Sequence, residues 1–129
     1  MRRALLLAAL VLATPAAAQQ EIRFARGAAS AVMEGAVPRG ERATYSLGAR
    51  AGQTMTLRIA APEDNAVFQI YAPGARITPD GVAGTALKGA GEGEDARQWQ
   101  GVLPADGRYL IVVGATRGNA TYRLQVAIR

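Results

Sequence analysis

Ala51-Gly52-Gln53 and Leu103-Pro104-Ala105-Asp106-Gly107-Arg108-Tyr109 are the two turn sequences that decide the fold of this chain. Each one leads into a stretch in which apolar and polar side chains alternate. Period-two alternation that follows Gly and Pro is typical of an antiparallel strand with one buried face. The side chains predicted to share one face are Met55, Leu57 and Ile59 in the first stretch, and Tyr109, Ile111 and Val113 in the second.

The same signals recur along the chain, and no stretch has the sustained 3.6-residue apolar period of an amphipathic helix. We therefore predict an all-β fold, an antiparallel β-sandwich of the jelly-roll kind with about eight or nine short strands. The predicted strands are residues 21–25, 31–36, 43–48, 53–60, 65–72, 76–78, 98–103, 108–114 and 120–128.

One segment departs from this pattern. Residues 80–97, called here the Gly-rich segment, contain five glycines and few bulky side chains. We expect a flexible insertion at the rim of the sandwich, since connections of this length without structure are uncommon inside a domain. The alternative is a binding loop that becomes ordered on contact with a partner.

The first 18 residues have the pattern of a secretory signal peptide. Arg2 and Arg3 precede an apolar run over residues 4–13, and Ala16-Ala17-Ala18 matches an Ala-x-Ala cleavage site. The run is too short to span a bilayer, and no second run approaches that length, so no membrane insertion is expected. The prediction is a single exported β-sandwich domain over residues 19–129, in the periplasm or secreted.

The composition excludes several classes of site. There is no His and no Cys, which rules out Ser-His-Asp and Cys-His catalysis and ordinary zinc sites within this chain. Without Arg2 and Arg3, 13 basic and 10 acidic side chains remain, a net charge of +3. No basic run or set of aromatics favours nucleic acid as a partner.

The acidic residues do not form a recognisable site either. Residues 89–95 offer three carboxylates, yet they lack the Lys-Ser/Thr of a P-loop and the ligand spacing of a calcium loop. A glycosidase would need two carboxyls held about 5–10 Å apart in a cleft. We expect no cofactor, no metal and no enzymatic activity.

Two exposed positions remain as candidates for binding. Arg117 stands at the tip of the final hairpin between Thr116 and Gly118, where it is either a solvated charge or a guanidinium that enters a partner's acidic cleft. Trp99, the single Trp, is either a partly buried cap at the end of the sandwich or an interface anchor, a role in which Trp is enriched.

Several phrases carry a resemblance to a known family. These phrases resemble the bacterial periplasmic inhibitors of goose-type lysozyme, in order over about residues 22–128. The Gly-Gln and Leu-Pro-x-x-Gly-x-Tyr phrases are also similar to the wider pre-peptidase C-terminal domain superfamily. The residues concerned are 24–30, Gly35, Tyr45, Gly52-Gln53, 103–109 and Thr116-Arg117.

The resemblance implies a jelly roll whose loops plug the substrate cleft of goose-type lysozyme. An Arg of the final hairpin, here Arg117, would pair with the cleft's carboxylates, assisted by a Tyr in the loop between the second and third strands. Here that loop, residues 38–42, has no aromatic side chain, Tyr45 lies in the following strand, and the final hairpin is shorter. The implied partner-binding residues are Arg117, Thr116, Gly118, Arg39 and Gly40.

A second class of function stays open at this point. The superfamily likeness implies a non-enzymatic module that binds or stabilises another envelope protein or a glycan. An inhibitor would form a one-to-one complex with lysozyme, whereas a glycan-binding module would cosediment with peptidoglycan alone.

Overall fold

The computed structural model describes residues 19–129 and contains ten strands and one turn of 3-10 helix, at Pro62–Asp64. The predicted signal peptide, residues 1–18, lies outside the described residues. The strands are β1 Gln20–Glu21, β2 Ser30–Val37, β3 Arg42–Ala49, β4 Thr54–Ala60, β5 Ala66–Tyr71, β6 Arg76–Thr78, β7 Gly81–Ala83, β8 Gln98–Val102, β9 Gly107–Ala115 and β10 Ala120–Ile128.

The strands form two four-stranded sheets and one short hairpin. The first sheet has the order β1-β3-β9-β5, the second has the order β2-β10-β4-β8, and β6 pairs with β7. All pairs are antiparallel except β1 with β3. The predicted antiparallel β-sandwich is confirmed.

The core lies between the two sheets and is built from the alternating apolar positions. In β10 the side chains at every second position from Ala120 to Ile128 are buried. Leu57 of β4 and Ile111 of β9 are fully buried on the facing strands. Each such Leu, Ile or Val stabilises the fold by about 1.5–3 kcal/mol, which suits a domain without disulfides.

A second, smaller apolar cluster covers the outer face of the first sheet. Tyr71, Leu110 and Val112 are buried there, packed with Ala75, Val82 and Ala86 from the chain after β5. Strand β9 is therefore buried on both faces, which explains its nearly continuous apolar sequence.

The Gly-rich segment is not the flexible rim insertion that we expected. It begins with strand β7 and then runs along the free edge of β5. Phe68 N donates to Ala96 O at 2.9 Å, Ile70 N to Ala90 O at 3.0 Å, and Leu87 N to Ile70 O at 2.8 Å. Leu87, Ala90 and Ala96 are buried in the main core, so small residues let the backbone lie close to β5 and satisfy its hydrogen bonds.

The other differences from the predicted strands are at their ends. The first strand is shorter than the predicted 21–25, because only Gln20 and Glu21 pair with β3. Among the described residues, no helix has the length and apolar character needed to cross a membrane.

Candidate functional site

Three connections between the two sheets meet at one end of the sandwich, called here the crossover end. They are residues 38–41 between β2 and β3, residues 61–65 between β4 and β5, and residues 116–119 between β9 and β10. The pairs Ala120↔Val37 and Ala66↔Ala115 place their starting points side by side. The fold therefore brings the predicted Arg39-Gly40 loop next to Thr116, Arg117 and Gly118. The prediction that these three residues form the tip of a hairpin was wrong, because β9 and β10 belong to different sheets and do not pair; residues 116–119 are called here the β9–β10 loop.

Hydrogen bonds join these two loops directly. The Arg39 amide donates to the side-chain Oδ1 of Asn119 at 2.8 Å. The residues involved are 80 positions apart in the chain, so only the fold brings them together.

Asn65, which is 8% exposed, links the β9–β10 loop to the β4–β5 connection. Its Nδ2 donates to Asn119 O at 2.9 Å and to Arg117 O at 3.4 Å. Its main-chain carbonyl accepts a hydrogen bond from Thr116 N at 2.8 Å. One residue thus contacts the backbone of three of the four residues of the β9–β10 loop.

The β4–β5 connection has an unusual backbone. Glu63 and Asp64 have φ values of 58° and 52°, in the left-handed region that non-glycine residues seldom adopt. Their carbonyls accept hydrogen bonds from guanidinium groups: Glu63 O from Arg117 at 3.4 Å, and Asp64 O from Arg97 Nε at 3.1 Å. Such conformations persist where surrounding contacts hold them, and they cluster at functional sites.

Arg117 is exposed in the β9–β10 loop. Gly118 follows it with φ of 59°, and Gly40 in the neighbouring loop has φ of 79°. These tight turns project the side chains of Arg117 and Arg39 outward, and both side chains are exposed.

Arg39 and Arg117 at the crossover end form no ion pair within residues 19–129. Within residues 19–129 the ion pairs are those of Glu21 with Arg23 and with Arg108, both at 3.0 Å. The hydrogen bonds from these two arginines lower the pKa of Glu21. Arg108 is the second residue of β9 and so lies at the end of the sandwich opposite the crossover end.

A groove extends the crossover end toward the β6–β7 hairpin. Its walls are Gly40 and Arg42 on one side and residues 77–81 on the other. Ile77 is 47% exposed there, one of the large apolar side chains left at the surface. The hairpin therefore places a mixed apolar and polar wall beside the Arg39-Gly40 loop.

The two aromatic candidates belong to the fold's own packing. Tyr45 is 2% exposed and shares a hydrogen bond of 2.5 Å with the hydroxyl of Tyr122. Trp99 is half-buried against the core, and its Nε1 donates to Lys88 O at 2.8 Å. Trp99 is partly buried as predicted, but it lies in the edge strand β8 opposite Leu57 and not at the end of the sandwich.

The carboxylates of the described part of the chain do not gather into a metal site. Glu92, Glu94 and Asp95 are exposed on the Gly-rich segment, as expected for a solvated acidic loop.

Sequence reasoning missed Asn65 and Asn119 as residues of the candidate site. The available signal was a polar Asn directly after Pro62-Glu63-Asp64 and directly before an apolar strand. That pattern predicts a turn, but it does not say which distant backbone groups the carboxamide contacts.

No protein-family model and no curated protein matches the chain. Among solved structures, it is similar to PliG of Aeromonas hydrophila, described as a periplasmic lysozyme inhibitor of g-type lysozyme, with 38% identity and a TM-score of 0.71. That match covers 86% of this chain and 96% of the other.

Two further structures with the same description share the fold. Salmonella Typhimurium PliG has 23% identity and a TM-score of 0.63, and a mutant of Escherichia coli PliG has 22% identity and a TM-score of 0.62. Each match covers 86% of this chain and 97% of the other.

Proposed function

This chain belongs to the family of periplasmic inhibitors of g-type lysozyme, and on that premise we propose that it blocks such a lysozyme with its crossover end. The loops 38–41 and 116–119 would enter the substrate cleft, and Arg117 would be the leading side chain. Arg39, Gly40, Thr116 and Gly118 would flank it. The proposed action is steric and electrostatic, and it needs no turnover by this protein.

One observation carries this proposal: the two predicted contact loops lie side by side with unpaired, exposed guanidinium groups. The bond from Arg39 N to Asn119 Oδ1 joins them at 2.8 Å. Arg117 makes one long contact, 3.4 Å to a carbonyl, and no ion pair within residues 19–129. A guanidinium held this loosely can turn toward a partner at little cost.

The chemistry of the partner's cleft favours an arginine. Enzymes that hydrolyse glycosidic bonds generally do so with carboxyl groups that flank the scissile bond. Arg binds a carboxylate through two parallel charge-assisted hydrogen bonds, and its charge persists at any physiological pH. An inserted Arg117 would both fill the cleft and neutralise the group that performs catalysis.

The surface differs from the pattern implied by the resemblance in its aromatic contribution. Tyr45 is buried between the sheets and cannot reach a partner. We infer that the groove wall around Ile77, 47% exposed, supplies apolar contact area in its place. The partner-facing surface would then have three parts, namely the two loops and the tip of the β6–β7 hairpin.

The proposed partner requires export from the cytoplasm. The similar proteins are described as periplasmic, and we place this chain in the periplasm or outside the cell. We further propose that residues 1–18 are removed on export, leaving Gln19 as the first residue. Sequencing the amino terminus of the exported protein tests this cleavage site.

The test is a cell-wall lysis assay with increasing amounts of the purified protein against a g-type lysozyme. Inhibition should saturate at one molecule per lysozyme, and a chicken-type lysozyme should keep its activity. Arg117→Ala should weaken binding by about 2–5 kcal/mol, the usual loss when one member of a desolvated charge pair is truncated.

Arg50→Ala is the matched control. Arg50 is exposed and lies in the β3–β4 connection at the opposite end of the sandwich, so this change removes the same charge without touching the proposed surface. Equal losses in the two variants would mean that net charge, not the crossover end, governs binding. Cosedimentation with peptidoglycan in the absence of lysozyme would favour the glycan-binding alternative.

A further inference from the structure

We propose that Asn65 is the positioning residue of the lysozyme-binding surface, because its buried carboxamide fixes the shape of the two contact loops before the partner arrives. This inference rests on the proposed function. It concerns a residue that is itself too buried, at 8% exposed, to contact a lysozyme directly.

The first step is the orientation of the carboxamide. The side chain of Asn65 faces two main-chain carbonyls, those of Asn119 at 2.9 Å and Arg117 at 3.4 Å. Carbonyls only accept hydrogen bonds, so the NH₂ end of the amide must face them. The amide nitrogen thus contacts two carbonyls of the β9–β10 loop, which carries Arg117.

The second step is that the constraint reaches the other contact loop. Asn119, whose carbonyl is bound by Asn65, uses its own side-chain Oδ1 to accept the Arg39 amide at 2.8 Å. Hydrogen bonds therefore connect Asn65 to Asn119 in the β9–β10 loop, and Asn119 to the Arg39-Gly40 loop. No side chain other than those of Asn65 and Asn119 is needed to complete it.

The third step is energetic. Within the described residues, the Oδ1 of Asn65 is buried and has no hydrogen-bond partner, and an unsatisfied buried acceptor destabilises a fold. An apolar residue here would avoid that loss. The carboxamide instead fixes the position of the β9–β10 loop backbone. A surface that is ordered in advance loses less entropy on binding.

The experiment measures the affinity for a g-type lysozyme by titration calorimetry, using protein expressed from the full-length sequence and purified. The variants are Asn65→Ala, Arg117→Ala and the double variant, with thermal unfolding recorded for each. Asn65→Ala should weaken binding about tenfold, equivalent to one or two net hydrogen bonds. In the Arg117→Ala background the same change should weaken binding much less, because Asn65 acts largely through the β9–β10 loop that carries Arg117.

Tyr109→Phe is the matched structural control. The hydroxyl of Tyr109 clamps the β8–β9 connection at the opposite end, accepting from Ala105 N at 3.1 Å and donating to Ala105 O at 2.7 Å. Its loss should lower the unfolding temperature and leave the affinity for lysozyme unchanged. Asn119→Ala is a second test that leaves the core intact, since Asn119 is exposed, and it should also weaken binding several-fold.

The outcomes separate the two proposals. Absence of binding by the unmodified protein would contradict the proposed function. The positioning role would be overturned if the unmodified protein binds and Asn65→Ala binds with the same affinity. It would also be overturned if Asn65→Ala weakens binding equally with Arg117 present and with Arg117→Ala. Amide hydrogen exchange needs no lysozyme: Asn65→Ala should speed exchange at Thr116 and Arg39, and unchanged exchange there would likewise overturn the inference.

Discussion

Tyr45 and Tyr122 connect the two sheets through their hydroxyl groups, deep in the core of the sandwich. Tyr45 belongs to β3 of the first sheet and Tyr122 to β10 of the second, and their oxygens are 2.5 Å apart. Gly35 pairs with Tyr122 across the strands and leaves the space that the ring occupies. The Gly35 position quoted for the family resemblance therefore has a packing explanation.

Gly35→Ala should destabilise the protein by about 1–3 kcal/mol, the usual cost of overpacking a core. A Cβ at this position would lie 2.6 Å from the Tyr122 hydroxyl oxygen and 2.8 Å from Cζ. Gly48→Ala is the matched control, because a Cβ there has nothing within 4 Å. Urea unfolding measures both, and equal midpoints for the two variants would contradict the explanation.

Stability should fall at high pH because of Tyr122. Burial, with the hydrogen bond to Tyr45, raises the pKa of Tyr122 well above its ordinary value of 10.0. Above pH 10 the unfolded chain loses the phenolic proton while the folded chain retains it. The free energy of unfolding should therefore drop by about 1.4 kcal/mol per pH unit for this group, while below pH 10 its contribution stays constant.

Urea unfolding between pH 8 and about 11.5 measures this slope. Tyr122→Phe removes the titrating group and should give a shallower decline than the unmodified protein. Tyr71, whose pKa is also raised by burial, should account for part of the decline that remains. Parallel curves for the two proteins would show that Tyr122 does not titrate differently on folding.

At the residue scale, sequence reasoning identified exposed turn residues better than buried polar ones. Arg117 was singled out because a turn position between two strands projects outward, and its side chain is exposed; Arg39 was named only through the family resemblance. Asn65 was not found, since an Asn before a strand usually serves its own local turn. Its actual contacts, 52 and 54 positions away, depend on the order of strands in space.

At the scale of elements, the Gly-rich segment shows where composition misleads. Glycine and alanine predict flexibility when considered alone. Here their small size allows the chain to lie against the edge of β5, where it caps backbone groups that would otherwise be exposed to another chain. The strands were easier to predict because alternation is a local signal, and most observed bounds lie within two residues of those predicted.

Leu87→Ala should destabilise the protein by about 2–4 kcal/mol, as expected for truncating a buried leucine. Leu87 is 8% exposed and belongs to the main core. The neighbouring Lys88→Ala is the control, because that side chain is exposed and its main-chain carbonyl, which accepts the Trp99 bond, remains. Thermal unfolding compares the two, and a loss for Leu87→Ala no greater than that for Lys88→Ala would restore the flexible-insertion interpretation.

At the scale of the whole molecule, the sheet order is the feature that the sequence could not provide. Within the two four-stranded sheets, no strand pairs with its neighbour in the chain; β9 pairs with β3 and β5, and β10 with β2 and β4. Turn signals and alternation define each strand separately, but they contain no information on such distant partners. The crossover end, and with it the candidate site, is a product of this long-range order.

This topology predicts slow folding. Each main-sheet pair must close a long loop before it forms any hydrogen bond, and two-state proteins dominated by such contacts fold in milliseconds to seconds. Trp99, the single Trp, reports the process because it is packed against the core in β8 and bound to Lys88 O only in the folded state. Stopped-flow fluorescence after dilution from urea should show a phase in that range, independent of protein concentration. Folding within microseconds would mean that local contacts control the rate, and among the described strands only β6 and β7 pair as sequential neighbours.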